Sequence, residues 1–124
     1  MKHQTRQRAA IIHCLRFASG PLNPKEILGL ARQEVSGLGL ATVYRNLKLL
    51  NHEGLVHELS MPGEGARYEL AGLSHHHHFY CRGCARLFCV EGCPDKLQDL
   101  PPTSFVLEEH EIMLYGLCAN CSQE

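Results

Sequence analysis

Apolar residues spaced three and four positions apart predict three amphipathic helices in the first half of this 124-residue chain. The first covers about residues 6–18, with Thr5 as its cap. Asn23 caps the second, and Pro24 takes its first position, where a missing N–H costs nothing. The third covers about residues 40–53. The apolar positions that should face a core are Ile11, Ile12, Leu15 and Ala18, then Ile27, Leu28, Leu30 and Ala31, and finally Val43, Leu47 and Leu50.

Two short strands follow, at residues 55–59 and 67–70, around the turn-forming sequence Pro62-Gly63-Glu64-Gly65. Three helices followed by a hairpin predict a winged helix, whose third helix enters the major groove of DNA. The outer face of that helix carries side chains that can contact base edges and phosphates, namely Thr42, Tyr44, Arg45 and Lys48. Such a face is also typical of an ordinary solvated helix, so the pattern alone leaves both interpretations open.

The second half predicts strands around two cysteine pairs. Phe79-Tyr80 precedes the first pair, residues 87–90 follow it, and residues 105–117 lead into the second pair. A short helix is expected after Pro94, over residues 95–100. We therefore predict an α+β protein, with a winged-helix DNA-binding domain at residues 1–72 and a small metal-binding α/β domain at residues 73–124.

Cysteine spacing gives the strongest chemical prediction. Six of the seven cysteines come after residue 80, and four of them form two C-x2-C pairs separated by 33 residues. Two such pairs can present four thiolates to one tetrahedral Zn²⁺, with Gly83 easing the first turn. A closed four-thiolate site has no open position for a substrate, so its role would be structural. The alternative is a set of free thiols at chance spacing; the predicted zinc ligands are Cys81, Cys84, Cys118 and Cys121.

Four consecutive histidines stand directly before the first cysteine pair. On a strand, successive side chains face opposite sides, so His76 and His78 point one way while His75 and His77 point the other. One segment can thus contribute to two metal sites. A solvated polar run or an expression tag is the alternative, although a tag would lie at a terminus. Candidate companion ligands elsewhere in the chain are His57, Glu69, Cys89, Cys93, Asp95 and His110.

Charge and composition narrow the function class. Residues 1–58 carry eight Lys or Arg and four Glu, a net charge of +4, whereas residues 59–124 carry four basic and nine acidic residues, a net charge of −5. A basic front half favours a polyanion as partner. No apolar stretch approaches the roughly 20 residues of a membrane span, and no leader-type segment is apparent, so we expect a cytoplasmic protein without a membrane partner. A zinc hydrolase is disfavoured because neither H-E-x-x-H nor a nucleophile motif is present, so we expect no enzymatic activity.

Three ordered motifs carry a family resemblance. They are Ala41-Thr42-Val43-Tyr44-Arg45-Asn46-Leu47, the run from His75 through Cys84, and the run from His110 through Cys121. Together they make the chain resemble the ferric uptake regulator (Fur) family over essentially its whole length. The resemblance implies a homodimeric repressor, dimerised through the second domain, that binds AT-rich palindromic operators when metal-loaded. Its genes would belong to metal homeostasis or oxidative stress, and its regulatory metal would be Zn²⁺, Fe²⁺ or Mn²⁺.

The resemblance also assigns roles by position. It places the four paired cysteines at the structural zinc, Glu69, His76 and His78 at the regulatory metal, and His75, His77 and His110 at a second metal. It implies base contacts by Tyr44 and Arg45 and a phosphate contact by Arg8.

This chain departs from the family pattern at two positions. The family supplies a regulatory histidine before the second helix, where residues 19–23 here offer no ligand. Cys89 occupies the position of a frequent acidic residue, so Cys89 or His57 is expected to complete the regulatory site and to shift its preference towards zinc and other thiophilic metals. Cys93 or Asp95 is the corresponding candidate at the second site. A peroxide sensor, acting by metal-catalysed histidine oxidation or by cysteine redox chemistry, is the alternative function.

Overall fold

A computed structural model describes residues 2–61 and 63–123. Pro62, in the predicted hairpin loop, lies outside the described residues. The chain divides into two units, Met1–Leu73 and Ser74–Glu124, whereas the sequence placed the domain boundary after residue 72. No helix in the described part is long and apolar enough to cross a bilayer.

The first unit consists of three helices and a hairpin. In chain order these are α1 (Lys2–Phe17), α2 (Pro24–Ala31), α3 (Leu40–His52), β1 (Val56–Met61) and β2 (Gly65–Leu70). The two strands are antiparallel, with Val56 opposite Leu70 and Met61 opposite Gly65. Leu22, before α2, forms an isolated bridge to Tyr68 of β2, which fastens the hairpin to the helices. This order and pairing are those of a winged helix, in which the hairpin is the wing.

Local chemistry explains the start of α2 but not the predicted start of α1. The Asn23 side chain accepts the Glu26 N–H at 2.8 Å and the Glu26 carboxylate accepts the Asn23 N–H at 2.9 Å, a reciprocal capping box. The first helix, by contrast, begins at Lys2, so Thr5 lies inside it and the expected cap was wrong. No glycine or proline interrupts residues 2–5, so the helix extends through them.

The core of the first unit lies where the helices meet the wing. All three inner positions predicted for α3, Val43, Leu47 and Leu50, are fully buried, which confirms that stripe. Leu30 of α2 is 44% exposed, against expectation, because the short helix buries only a narrow stripe centred on Ile27 and Ala31. The buried guanidinium of Arg67 donates to the Pro21 carbonyl at 3.1 Å and to the Glu26 carboxylate at 2.7 Å, so the wing also holds α2 by polar contacts.

The second unit is a three-stranded sheet. Its strands are β3 (His77–Cys81), β4 (Leu87–Val90) and β5 (Met113–Gly116), in the order β4-β3-β5. The central strand β3 is antiparallel to β4 and parallel to β5. Parallel pairing brings the carboxyl ends of β3 and β5, from which the two cysteine pairs follow, to the same edge.

Two predicted elements of this unit were wrong in extent. The expected helix over residues 95–100 is a single 3₁₀ turn, Leu97–Asp99, preceded by Lys96 in the left-handed region (φ 63°) and followed by two prolines. The expected strand over residues 105–117 pairs only at Met113–Gly116. Residues 113–116 already pair with His78 to Cys81 of β3, and no other strand in the described part of the chain pairs with residues 105–112.

Candidate metal centres and nucleic-acid interface

The four paired cysteines converge at the common edge of β3 and β5. Their Sγ atoms all lie within 4.8 Å of one another, and Cys84 and Cys118 are 4.0 Å apart. A tetrahedral Zn²⁺ with Zn–S bonds of about 2.3 Å places its sulfurs about 3.8 Å apart. The four thiols therefore fit a structural zinc without rearrangement of the backbone.

Backbone N–H groups favour the thiolate form of one cysteine in this cluster. The Sγ atom of Cys81 accepts the N–H groups of Cys118 (3.3 Å) and Cys84 (3.4 Å), and these bonds lower the pKa of Cys81 to about 6. Crowding acts the other way on Cys121, whose pKa rises to about 12 because its thiol lies against those of Cys81 and Cys118. Four thiolates cannot coexist at this spacing unless a cation offsets their charge.

Gly83 is required by close approach at this cluster. A Cβ at that position would lie 2.8 Å from both Cβ and Sγ of Cys121. The first cysteine pair can therefore turn beneath the second only because this residue has no side chain.

One face of the β3–β4 pair gathers His76, His78 and Cys89. Their ligand atoms lie within 4.8 Å of one another, and Cys89 is directly opposite His78 across the antiparallel pair. The Nδ1 atom of His76 is 2.8 Å from the Ser74 carbonyl. A proton on Nδ1 satisfies that contact, and Nε2 is then the nitrogen that would bind a metal.

The other histidine pair joins a separate group with His110 and Cys93. The Nε2 atoms of His75 and His110 are 3.0 Å apart, and the Cys93 Sγ is 3.2 Å from His77 Nε2 and 3.3 Å from His110 Nε2. Tetrahedral zinc with nitrogen and sulfur ligands has edges of about 3.3–3.6 Å, so these donors already converge on one centre. Burial, together with the neighbouring His75 and His110, lowers the pKa of His77, which favours its neutral, metal-binding form.

One candidate ligand of the second unit lies outside these groups. Asp95, although described, does not join the group that contains Cys93. His57 faces Glu69 across the wing, with its Nδ1 atom 3.9 Å from the Glu69 carboxylate. Glu69 itself is buried on β2.

The outer face of α3 presents the residues expected to bind DNA. Tyr44, Arg45 and Lys48 are exposed, and Thr42 is half-buried. The Arg45 guanidinium donates to the Thr42 hydroxyl at 3.0 Å, so Thr42 helps to orient the longer side chain. One face of α3 therefore presents two cations, an aromatic ring and a hydroxyl.

Arg8 of α1 has a partner that the sequence did not reveal. Its two terminal nitrogens donate to the two carboxylate oxygens of Glu53, at 3.0 and 2.7 Å, just beyond the end of α3. The pair raises the pKa of Arg8 and lowers that of Glu53 through this hydrogen bonding. The residues are 45 positions apart, and only the packing of α1 against α3 brings them together.

A winged helix joined to a small unit rich in metal-ligand groups defines a metal-responsive DNA-binding regulator. Known proteins carry the same combination. A model of the family described as "Ferric uptake regulator family" matches residues 2–115. The chain is 31% identical to a ferric uptake regulation protein of Campylobacter upsaliensis over 97% of its own length and 80% of that protein.

Two further proteins show the range of the likeness. A peroxide operon regulator of Bacillus subtilis is 29% identical over 97% of this chain and 84% of its own length. The ferric uptake regulator of Helicobacter pylori superimposes with a TM-score of 0.77 at 24% identity, over 95% of this chain and 81% of that one, and so shares the fold. The chain belongs to the ferric uptake regulator family and is a metal-responsive, DNA-binding transcriptional regulator. Regulators of this family are dimeric DNA-binding proteins rather than enzymes.

Proposed function

We propose that the protein is a cytoplasmic, homodimeric repressor that binds an AT-rich palindromic operator when its regulatory metal is bound. Its genes would serve metal homeostasis or the response to oxidative stress. In this proposal α3 enters the major groove, where Tyr44 and Arg45 contact bases. Thr42 and Lys48 contact adjacent base edges or phosphates, and Arg8 binds a phosphate. The net charge of +4 on residues 1–58 supports a polyanionic partner.

The proposed structural metal is Zn²⁺ bound by the four paired cysteines. The convergence of the four Sγ atoms and the close approach at Gly83 support this assignment. When bound, the ion supplies four bonds that link the ends of β3 and β5 and neutralises the crowded thiolates.

The regulatory metal is proposed to bind His76, His78 and Cys89, and the family resemblance adds Glu69. A second metal would bind His75, His77, Cys93 and His110. The observation that carries the sensing function is the division of four consecutive histidines between two cysteine-containing groups: His77 and His78 begin β3 and belong to different groups, and His75 and His76 directly before them divide in the same way. The candidate regulatory metals are Zn²⁺, Fe²⁺ and Mn²⁺. The H. pylori structure is described as revealing three functional metal-binding sites, a number that agrees with this proposal.

The experiment is a DNA-binding titration followed by fluorescence anisotropy. The probe is an AT-rich inverted-repeat duplex recovered from a random pool with metal-loaded protein. Selective chelation that leaves one zinc per chain should weaken binding at least tenfold, and adding metal should restore it. Equal affinity with and without the regulatory metal would exclude metal sensing. If the metal-loaded protein binds the selected duplex no more tightly than a duplex of unrelated sequence, operator recognition would be excluded.

Two single substitutions test which candidate completes the regulatory site. Cys89→Ser removes a thiolate beside His76 and His78, and should weaken regulatory metal binding by on the order of 10–100-fold. His57→Ala is the matched comparison, because this exposed histidine faces Glu69 on the wing. A loss for His57→Ala with none for Cys89→Ser would reverse the proposed ligand assignment.

Peroxide sensing is the second candidate, supported by the likeness to the B. subtilis peroxide operon regulator. With Fe²⁺ bound, peroxide should add one oxygen to His76 or His78, whereas a thiol mechanism would modify Cys89 or Cys93. Peptide mass spectrometry after peroxide treatment separates these outcomes. Unmodified peptides with intact DNA binding would exclude this function.

A further inference from the structure

The proposed regulatory site and the proposed second metal site each contain one cysteine. Cys89 lies opposite His78 on β4, and its Sγ is within 4.8 Å of the ligand atoms of both His76 and His78. Cys93 lies within 3.3 Å of two imidazole nitrogens, those of His77 and His110.

The second group contains no carboxylate among the described residues. It offers three imidazole nitrogens and one sulfur, and Asp95, only two positions from Cys93, stays outside it. Four N and S donors at tetrahedral spacing satisfy Zn²⁺, whereas Mn²⁺ prefers oxygen ligands in a larger coordination sphere. The donor set therefore favours Zn²⁺ over Mn²⁺.

We propose that Cys89 and Cys93 are the selectivity-determining ligands of the two groups and that both groups bind Zn²⁺ in preference to Fe²⁺ and Mn²⁺. This inference rests on the proposed function in taking both groups as metal sites, and it assigns the metal they take. It also disfavours iron-driven histidine oxidation, because Fe²⁺ competes poorly for a site that contains a thiolate.

The first measurement uses Co²⁺ as a spectroscopic probe for zinc sites. Full-length protein that retains its structural zinc is titrated with Co²⁺, and the thiolate-to-cobalt charge-transfer absorption is recorded. We expect a band that rises with two Co²⁺ per chain. Cys89→Asp and Cys93→Asp should each remove about half of the intensity, and the double variant should remove all of it. Cys14→Ser, which changes a thiol of the first unit, is the control and should leave the band unchanged.

The second measurement is equilibrium dialysis against equal Zn²⁺ and Mn²⁺, with elemental analysis of the protein. Each Asp substitution should lower the zinc-to-manganese ratio at its site by on the order of 10–100-fold. Both cysteines are exposed, so the variants should keep the fold, and retention of one structural zinc per chain verifies this. Unchanged absorption or an unchanged metal ratio in both Asp variants would overturn the proposal.

The two proposals fail in different ways. Zinc selectivity with no effect of zinc on DNA affinity would contradict the proposed sensing function and leave the ligand assignment standing. Metal-dependent DNA binding by the Asp double variant, with wild-type selectivity, would contradict the ligand assignment alone.

Discussion

The two units of this chain are stabilised by different means. The first has a continuous apolar core, built from α1, α2, α3 and the wing, in which Ile11, Ile27 and Leu47 are completely buried. Among the described residues of the second unit, the only buried apolar side chains are Cys81 and Leu87, and one of these is a proposed zinc ligand. Large apolar side chains there are instead exposed, including Phe105 at 70% and Val106 at 84%.

The difference indicates that apolar packing contributes less to the second unit than to the first. A small domain whose apolar burial is insufficient needs a metal or a partner chain. The second unit supplies ligand residues to all three candidate metal groups, while its large apolar side chains are mostly exposed. The first unit forms its core without a metal or a partner chain.

Removal of the structural metal should have the largest effect. Cys118→Ser breaks the four-thiolate set, and structural zinc contributes on the order of 10–16 kcal/mol in small zinc-binding peptides. We expect the amides of β3, β4 and β5 to lose protection from hydrogen exchange, while those of α3 keep theirs. Cys14→Ser in α1 is the control and should change neither unit. Preserved protection of β3 in zinc-free protein would show that the second unit does not depend on the metal.

A core substitution should show the reverse pattern. Leu47→Ala leaves a cavity in the first unit and should lower its free energy of unfolding by about 2–5 kcal/mol. Leu49→Ala, two positions along α3 at a side chain 56% exposed, should cost far less. Urea unfolding followed by circular dichroism measures both, and zinc content should be unchanged. Equal costs for the two variants would contradict the buried stripe assigned to α3.

Gly83→Ala tests the fit of the zinc cluster without removing a ligand. The new Cβ would meet Cys121 at 2.8 Å, so we expect a cost of about 1–3 kcal/mol, measured as weaker zinc retention against a chromophoric chelator. Gly29→Ala in α2 is the matched control. Nothing lies within 4 Å of its added Cβ, and it should stabilise the first unit by up to about 1 kcal/mol. Wild-type zinc retention by Gly83→Ala would mean that the second pair of cysteines shifts at no cost.

The smallest effect concerns Arg8 and Glu53. Since an exposed ion pair contributes little to stability, Glu53→Gln should cost little stability. It should strengthen DNA binding by up to about fivefold, because the carboxylate no longer competes with phosphate for Arg8. In an Arg8→Ala background the same change should increase DNA affinity less. An equal gain in both backgrounds would show that Glu53 does not act on DNA binding through Arg8.

The pH dependence of this pair follows from its hydrogen bonding. The pKa of Glu53 is lowered in the folded protein, so the stability it contributes is present above the ordinary carboxylate pKa and is lost as pH falls through the lowered value. Circular dichroism melts of the wild type and Glu53→Gln should therefore converge in acid.

Local spacing was sufficient to predict the helical half. The stripe of Val43, Leu47 and Leu50, the cap at Asn23 and the hairpin all depend on near neighbours in the chain. The strand predicted over residues 105–117 was too long because the apolar run from Phe105 to Leu107 is exposed, and periodicity does not distinguish an exposed apolar run from a buried one. Arg8 and Glu53 could not be paired beforehand, since nothing local links them.

The candidate metal groups were predictable in part. The alternation expected of a strand was enough to separate His76 and His78 from His75 and His77, although β3 begins only at His77. Choosing Cys93 over Asp95 required the actual path of the chain after β4, because both follow within a few residues. The position of Cys89 opposite His78 depends on the register of β3 against β4, which spacing in the sequence does not give.

The register of β3 within its sheet determines which face of the sheet each histidine side chain occupies. A shift of β3 by one residue would turn every side chain to the opposite face and exchange the two histidine pairs. Cys81 ends the same strand, so a zinc ion bound there, as proposed, would hold β3 in this register. The proposed structural metal would thereby determine which histidines face each of the two other candidate sites.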